Sequence, residues 1–271
     1  MNILLSNNMI GGNTGSETWV TTMKKEIDEL GHNVTLYTPN TNILDMKFNL
    51  AIVNHNSCLK QLTYLPCKKI FTSHGIIPAL EQPIKGADYY VSVSEEVQEH
   101  LNDLGFNSII IRNGIDTELY KSTKQTNKTL TNVLFSSHYQ GSALNIIKQA
   151  CKELDLNLTI IGKGNEVSNP IDYINEADLV IGLGRTAYEA MSCERNVIIY
   201  DYNGADGFVT PETIKDYRKN NCSGRYRKKF LNVEELKELF KLYDSELGSK
   251  LREYIIDNNN IKKTVQQYLS I

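Results

Sequence analysis

No stretch of this chain approaches the ~18 consecutive apolar residues that a membrane-spanning helix needs. The opening MNILLSNNMIGG has no basic region and too short an apolar run for a signal peptide. A soluble, cytoplasmic protein is therefore expected. Cysteine is scarce and odd in number: Cys58, Cys67, Cys151, Cys193 and Cys222 never form a CxxC spacing. Structural disulfides and a zinc site are both disfavoured, and a reducing compartment fits better. An excess of one charge is lacking too. With 29 Lys and Arg against 32 Asp and Glu, the net charge of −3 gives no electrostatic case for nucleic acid. Internal repeats and long low-complexity tracts are missing as well.

What is present fits two α/β domains. A length of 271 residues allows two units of roughly 120 residues each, and a hydrophobic fraction of 41% can fill their cores. Asn2 to Ser6 reads as a strand, followed by a Gly-rich loop from Asn7 to Gly15. A helix is expected from about Ser16 to Leu30, with Ser16 as N-cap and Gly31 as stop, and a second strand from Asn33 to Thr38. This is a βαβ start. It lacks the GxGxxG spacing and the acidic residue of a nicotinamide site. Strands follow at 50–54, 69–73, 89–94 and 108–112, with a helix from Glu95 to Leu104 capped by Ser94. Lys121 to Thr131 is polar and aperiodic, as a linker would be. The second half repeats the alternation: strand 132–136, helix 142–154, strand 158–161, then the Gly162-Lys163-Gly164-Asn165 turn. Thr210-Pro211-Glu212 reads as a helix start with Pro at N1. The final segment, 248–271, has helical periodicity interrupted near Asn258-Asn259-Asn260.

The densest information lies in Gly182 to Thr210, GLGRTAYEAMSCERNVIIYDYNGADGFVT. An apolar strand stops at two glycines, and a compact helix follows with Thr186 as candidate N-cap. A buried strand over Val197–Tyr200 then runs into the loop Gly204-Ala205-Asp206-Gly207. Strand, Gly turn, helix, strand and Gly loop make a nucleotide-binding unit of a doubly wound sheet, with ligands at the carboxyl ends of the strands. Glu189 is a carboxylate inside an otherwise apolar helix. It must find donors there, and a ribose diol supplies two.

Glu189-Ala190-Met191, Val197-Ile198 and Gly204 resemble the large retaining glycosyltransferase group of the GT-B fold, the family 4-like group. The Gly-Arg-Thr before the Glu and the Asp-Gly-Phe-Val-Thr-Pro-Glu after the strand resemble one bacterial-type branch. Asp88–Glu95 and Arg112-Asn113-Gly114-Ile115-Asp116 are similar to further signatures of the same group. The resemblance implies two facing Rossmann-like domains with mostly parallel sheets. The expected division is an N-terminal acceptor domain over 1–116, a linker over 117–131 and a donor domain over 132–247. C-terminal helices over 248–271 would cross back to the first domain. It also implies a metal-independent reaction without a cofactor: a sugar moves, with retention, from a nucleotide-diphosphate sugar co-substrate to the hydroxyl of a glycan, lipid or other acceptor.

The resemblance assigns roles to particular residues. Glu189 is the ribose clamp, and His74, at the end of the 69–73 strand, matches a histidine beside the reacting sugar; both are placed in the catalytic set. Gly11 and Gly12 match a Gly-Gly loop whose N–H groups suit the donor diphosphate or the acceptor. His55, at another strand end, is assigned to the acceptor. Family members carry an Arg and a Lys after the first strand of the second domain, but Ser136–Gly141 contains neither, and Ile181 stands where the first of two paired Glu residues falls. Arg185, Lys163 and Arg225 are the substitute cations for the diphosphate. Apart from the resemblance, Gly204 and Gly207 would close backbone amides over the sugar or its phosphates, and Asp206 would bind a sugar hydroxyl in place of the missing Glu. The cationic run Arg225-Tyr226-Arg227-Lys228-Lys229 is a candidate for peripheral membrane contact. Three further readings stay open: a nucleotide-sugar epimerase, a non-catalytic nucleotide-sugar-binding protein, and a DNA-base glycosyltransferase.

Overall fold

A computed structural model describes residues 1–12, 15–139, 141–167 and 169–271. The expected loops over 7–15 and 136–141 lie partly outside the described residues, at Asn13, Thr14 and Gln140. The chain divides into two compact units, residues 1–114 with 261–271, and residues 115–260.

Unit 1 is built on β1 (Asn2–Ser6), α1 (Gly15–Glu29), β2 (Asn33–Tyr37), β3 (Leu50–Val53), α2 (Asn56–Leu62), β4 (Lys68–Ser73), β5 (Tyr89–Ser92), α3 (Glu95–Asp103) and β6 (Ser108–Ile110). All six strands are parallel, in the order β2-β1-β3-β4-β5-β6. Apolar residues run without a break along Ile3–Leu5 of β1 and Leu50–Val53 of β3, two of the inner strands, because both faces are covered. Ile3 and Leu5 point to one face, with Ile52, Ile70 and Val91, and meet Trp19, Met23 and Ile27 of α1. Leu4, Ala51, Val53 and Phe71 point to the other and meet Cys58, Leu59 and Leu62 of α2. Helix α3 begins as read, with the Ser94 hydroxyl accepting from Val97 N.

Unit 2 contains β7 (Asn132–Ser137), α4 (Ser142–Glu153), β8 (Asn157–Gly162), α5 (Ile171–Glu176), β9 (Leu179–Gly182), α6 (Arg185–Ser192), β10 (Asn196–Asp201), β11 (Gly204–Phe208), α7 (Ile214–Tyr217), α8 (Val233–Phe240) and α9 (Leu247–Asn258). Its sheet order is β11-β10-β9-β7-β8, parallel except for β11 against β10. At Gly162 a side chain is impossible, since a Cβ would lie 1.9 Å from Ser137 O. That close approach locks the end of β8 to the end of β7.

Several expectations change. Helix α6 starts one residue before Thr186, with Gly184 in the N-cap position and no side-chain cap. Gly204–Gly207 is not a loop but most of β11, paired with β10. Thr210-Pro211-Glu212 is a turn whose Thr210 hydroxyl accepts from Glu212 N and Thr213 N, and α7 begins only at Ile214. Residues 121–131 are folded into unit 2 instead of running free. Buried Asp178 accepts from Asn127 N at 2.8 Å, Thr131 N at 3.0 Å and Asn132 N at 2.8 Å. Arg195, 1% exposed, donates to Ser122 Oγ and Lys124 O. Of the last segment, α9 belongs to unit 2. The chain then returns to unit 1 as α10 (Ile261–Ser270). Helix α10 buries Ile261, Thr264, Val265 and Tyr268, one stripe at helical spacing, against α1 and the sheet. The Tyr268 hydroxyl meets Thr72 Oγ1 at 3.1 Å.

Candidate functional site

In unit 2 the expected chemistry gathers at the start of α6. Strand β9 ends at Gly182, and Gly184 takes a positive φ of 53° so that the chain can turn into the helix. Gly184 N donates to Cys222 O at 2.8 Å, fixing the turn to the 221–225 loop. One helical turn brings Arg185 and Glu189 onto the same face. Their side chains form an ion pair, Arg185 Nε to Glu189 Oε1 at 2.6 Å, with only 14% and 8% of the side chains exposed. The Tyr120 hydroxyl donates to the same carboxylate. Burial pushes the Glu189 carboxyl up, and the guanidinium and the tyrosine pull it back. Arg185 and Glu189, read separately from the sequence, are thus one unit with Tyr120, which sequence reasoning missed. A charge-assisted cluster at a helix N-terminus can hold a polyhydroxylated, anionic ligand.

The other donor candidates fare differently. Lys163 is exposed in its Gly turn, with its backbone N–H bound to Ser137 O at 2.9 Å. Burial pushes the Tyr202 phenol up, and half-buried Arg225 is close enough to oppose that rise. Asp206 is 1% exposed and accepts from Gly224 N at 3.1 Å and Arg227 N at 2.9 Å. It anchors the 221–227 loop and is not presented to a sugar. Gly204 and Gly207 belong to a strand, and a Cβ on Gly204 would meet Gly224 O at 3.3 Å, so their role is close packing of β11 on that loop. From Tyr226 to Lys229 the cationic run is exposed. Arg227 lies over the Tyr217 ring and Lys229 pairs with Glu235 at 2.9 Å.

In unit 1 the candidates lie at the carboxyl ends of neighbouring strands. His55 follows β3 and is 8% exposed. Its Nδ1 accepts from Asn8 N at 2.9 Å, which places the ring proton on Nε2. Burial lowers the pKa of His55, and the Glu17 carboxylate partly opposes that shift. Glu17, 3% exposed in the first turn of α1, accepts from Gly12 N at 3.2 Å. The Gly12 amide thus faces a carboxylate of its own chain, which argues against a diphosphate at Gly11-Gly12. Gly11 adopts φ 111° before it. His74 follows β4 and sets its ring edge-on to Trp19, centroids 5.1 Å apart, and Trp19 in turn meets Tyr268 at 5.7 Å. Asn7 Oδ1 and both polar atoms of the Asn54 side chain are buried at the ends of β1 and β3, without hydrogen-bond partners among the described residues. Near His74, the Glu81 carboxylate folds over Gly75, and burial raises it to about 7. Glu17 was legible only as an acid in a first helical turn, and nothing local marks Glu81.

Among the described residues, no group of three or more His, Cys, Asp and Glu side chains is placed to hold a metal ion. No described helix is long and apolar enough to cross a membrane.

Two α/β units with parallel Rossmann-like sheets define the GT-B fold class. No family model matches the chain, and no curated protein matches it in sequence. Solved structures do match. HepE of Anabaena, solved with UDP and glucose, aligns with a TM-score of 0.66 at 13% identity, over 99% of this chain and 98% of that one. An α-glucosyltransferase solved with UDP and a 13-mer DNA containing an HMU base gives 0.60 at 12% identity, over 100% and 98%. AviGT4, a glycosyltransferase of avilamycin A biosynthesis, gives 0.57 at 11% identity, over 99% and 96%. Likeness at such identities establishes the fold.

Proposed function

We propose that this protein is a glycosyltransferase of the hexosyl type, taking a nucleoside-diphosphate sugar as donor and an acceptor hydroxyl as co-substrate. The observation that carries the reading is the buried Arg185–Glu189–Tyr120 cluster at the N-terminus of α6, on the carboxyl side of a parallel sheet. UDP bound to HepE and to the α-glucosyltransferase of the same fold supports it. In this reading the bond from the anomeric carbon to the diphosphate oxygen breaks, and its electron pair leaves with the phosphate. The acceptor oxygen bonds to that carbon on the same face, with retention, and its proton passes to the departing phosphate. Arg185 and the α6 amides oppose the charge that develops on the leaving group, and this is the support for a metal-independent reaction. Glu189 takes the ribose hydroxyls. His74 serves the reacting sugar and His55, fixed as an Nε2 donor, the acceptor.

Calorimetry with UDP-, GDP- and ADP-sugars on the native protein and on Glu189→Ala tests the reading. One donor should bind, the variant should not bind it, and slow donor hydrolysis unaffected by EDTA should follow. If no sugar nucleotide binds, the reading falls. One solved neighbour carries DNA, so the acceptor panel includes duplex DNA beside glycans and lipids. Turnover of DNA would correct the expectation from net charge.

A further inference from the structure

Two tyrosines at the carboxyl edge of the unit 2 sheet have no part in the chemistry above. Ser137 closes β7 and Asp201 closes β10, with β9 between them. Ser137 Oγ donates to Asp201 Oδ2 at 2.5 Å and accepts from Tyr139 N at 2.9 Å. Both residues are buried, at 9% and 5% exposure. This bond fastens the two strand ends, and just beyond them stand Tyr139 and Tyr202. The rings lie tilted against each other, with centroids 3.9 Å apart and 37° between planes. They nevertheless remain 53% and 45% exposed. Such rings carry roughly 150–250 Å² each, and leaving apolar area in water forgoes about 25 cal/mol per Å². A buried serine–carboxylate bond that holds exposed aromatic faces in place, at the edge where doubly wound sheets take ligands, marks a preorganised contact surface.

We infer that the Tyr139–Tyr202 pair is the platform for the glycosyl group of the donor. The inference rests on the glycosyltransferase reading. The loop after β7 carries no Arg or Lys, and the Tyr139 ring stands exposed on it beside His138. The 204–207 segment was expected to meet the sugar through Asp206. That carboxylate lies in β11, buried on Gly224 N and Arg227 N, whereas Tyr202, in the turn before β11, is exposed. The π faces of tyrosine are electron-rich and attract the polarised C–H face of a pyranose. Arg225, beside Tyr202, is suited to the adjoining phosphate. A nucleobase stacks on such rings as well, so comparing the free nucleotide with the sugar nucleotide separates the two occupants.

The test compares UDP with UDP-glucose, and GDP with GDP-mannose, by calorimetry on the native protein and on Tyr139→Ala, Tyr202→Ala and Tyr202→Phe. Circular dichroism verifies that each variant is folded. Each alanine variant should bind the sugar nucleotide roughly three- to tenfold more weakly, as loss of an aromatic contact implies, with unchanged affinity for the free nucleotide. Tyr202→Phe should retain most of the affinity. Equal weakening of nucleotide and sugar nucleotide would assign the rings to the base and overturn the inference, as would sugar-nucleotide binding indifferent to both tyrosines. If the native protein binds no sugar nucleotide, the glycosyltransferase reading falls, and the platform with it.

Discussion

Removing the Glu189 carboxylate would leave the Arg185 guanidinium with 14% of its side chain exposed and its closest counter-charge gone. Breaking a buried pair from one side costs about 3–5 kcal/mol, so Glu189→Ala should lower the urea midpoint clearly. Replacing both partners by apolar residues, Arg185→Met with Glu189→Leu, should recover most of that stability while donor binding stays lost. Recovery of binding in the double variant would show that the pair is merely structural. Glu81 makes a separate prediction. Burial raises its carboxyl from the ordinary 4.5 to about 7. Between these values the folded chain keeps a proton that the unfolded chain has released, so stability falls as pH rises from about 4.5 towards 7. Urea midpoints of the native protein should therefore decline across that window relative to Glu81→Gln. Parallel curves would refute it.

At the scale of elements, much was legible and the misses have common causes. The inner parallel strands of both sheets were readable because strands covered on both faces are continuous apolar runs, as in Ile3-Leu4-Leu5 and Val197-Ile198-Ile199. Ser94 was readable as a cap because capping is local. Strand β11 was missed because Gly-Ala-Asp-Gly has the composition of a turn, and its β structure comes from β10 and from the 221–229 loop closing on it. Residues 121–131 were misread as a linker because Asp178 and Arg195, which bind them, are distant in sequence. The site followed the same rule. Glu189 stood out as a lone carboxylate among apolar neighbours, whereas Tyr120, Glu17 and the Tyr139–Tyr202 pair depend on the fold. One element-scale consequence can be measured at Gly162. A methyl group there would meet Ser137 O, so Gly162→Ala should strip hydrogen-exchange protection from β7 and β8 while β1 to β6 keep theirs.

For the whole molecule, the interleaving of the two units matters. Unit 1 is discontinuous, and α10 completes it by burying Val265 and Tyr268 against Trp19 and the sheet. Tyr268→Ala should cost roughly 3–5 kcal/mol, the range for large aromatic truncations. The loss should appear as faster hydrogen exchange in β1 to β6, with β7 to β10 unaffected. Uniform loss across both sheets would mean that the units do not unfold separately.

The same interleaving sets an order of assembly during synthesis. Chains usually fold from the amino end as they emerge, yet here residues 1–114 emerge ahead of the helix that closes their core. All of residues 115–260 must follow before α10 exists. The second unit can therefore reach its finished form while the first still exposes Trp19 and the apolar face beneath it. Of the two units, the one begun first is the last to be sealed.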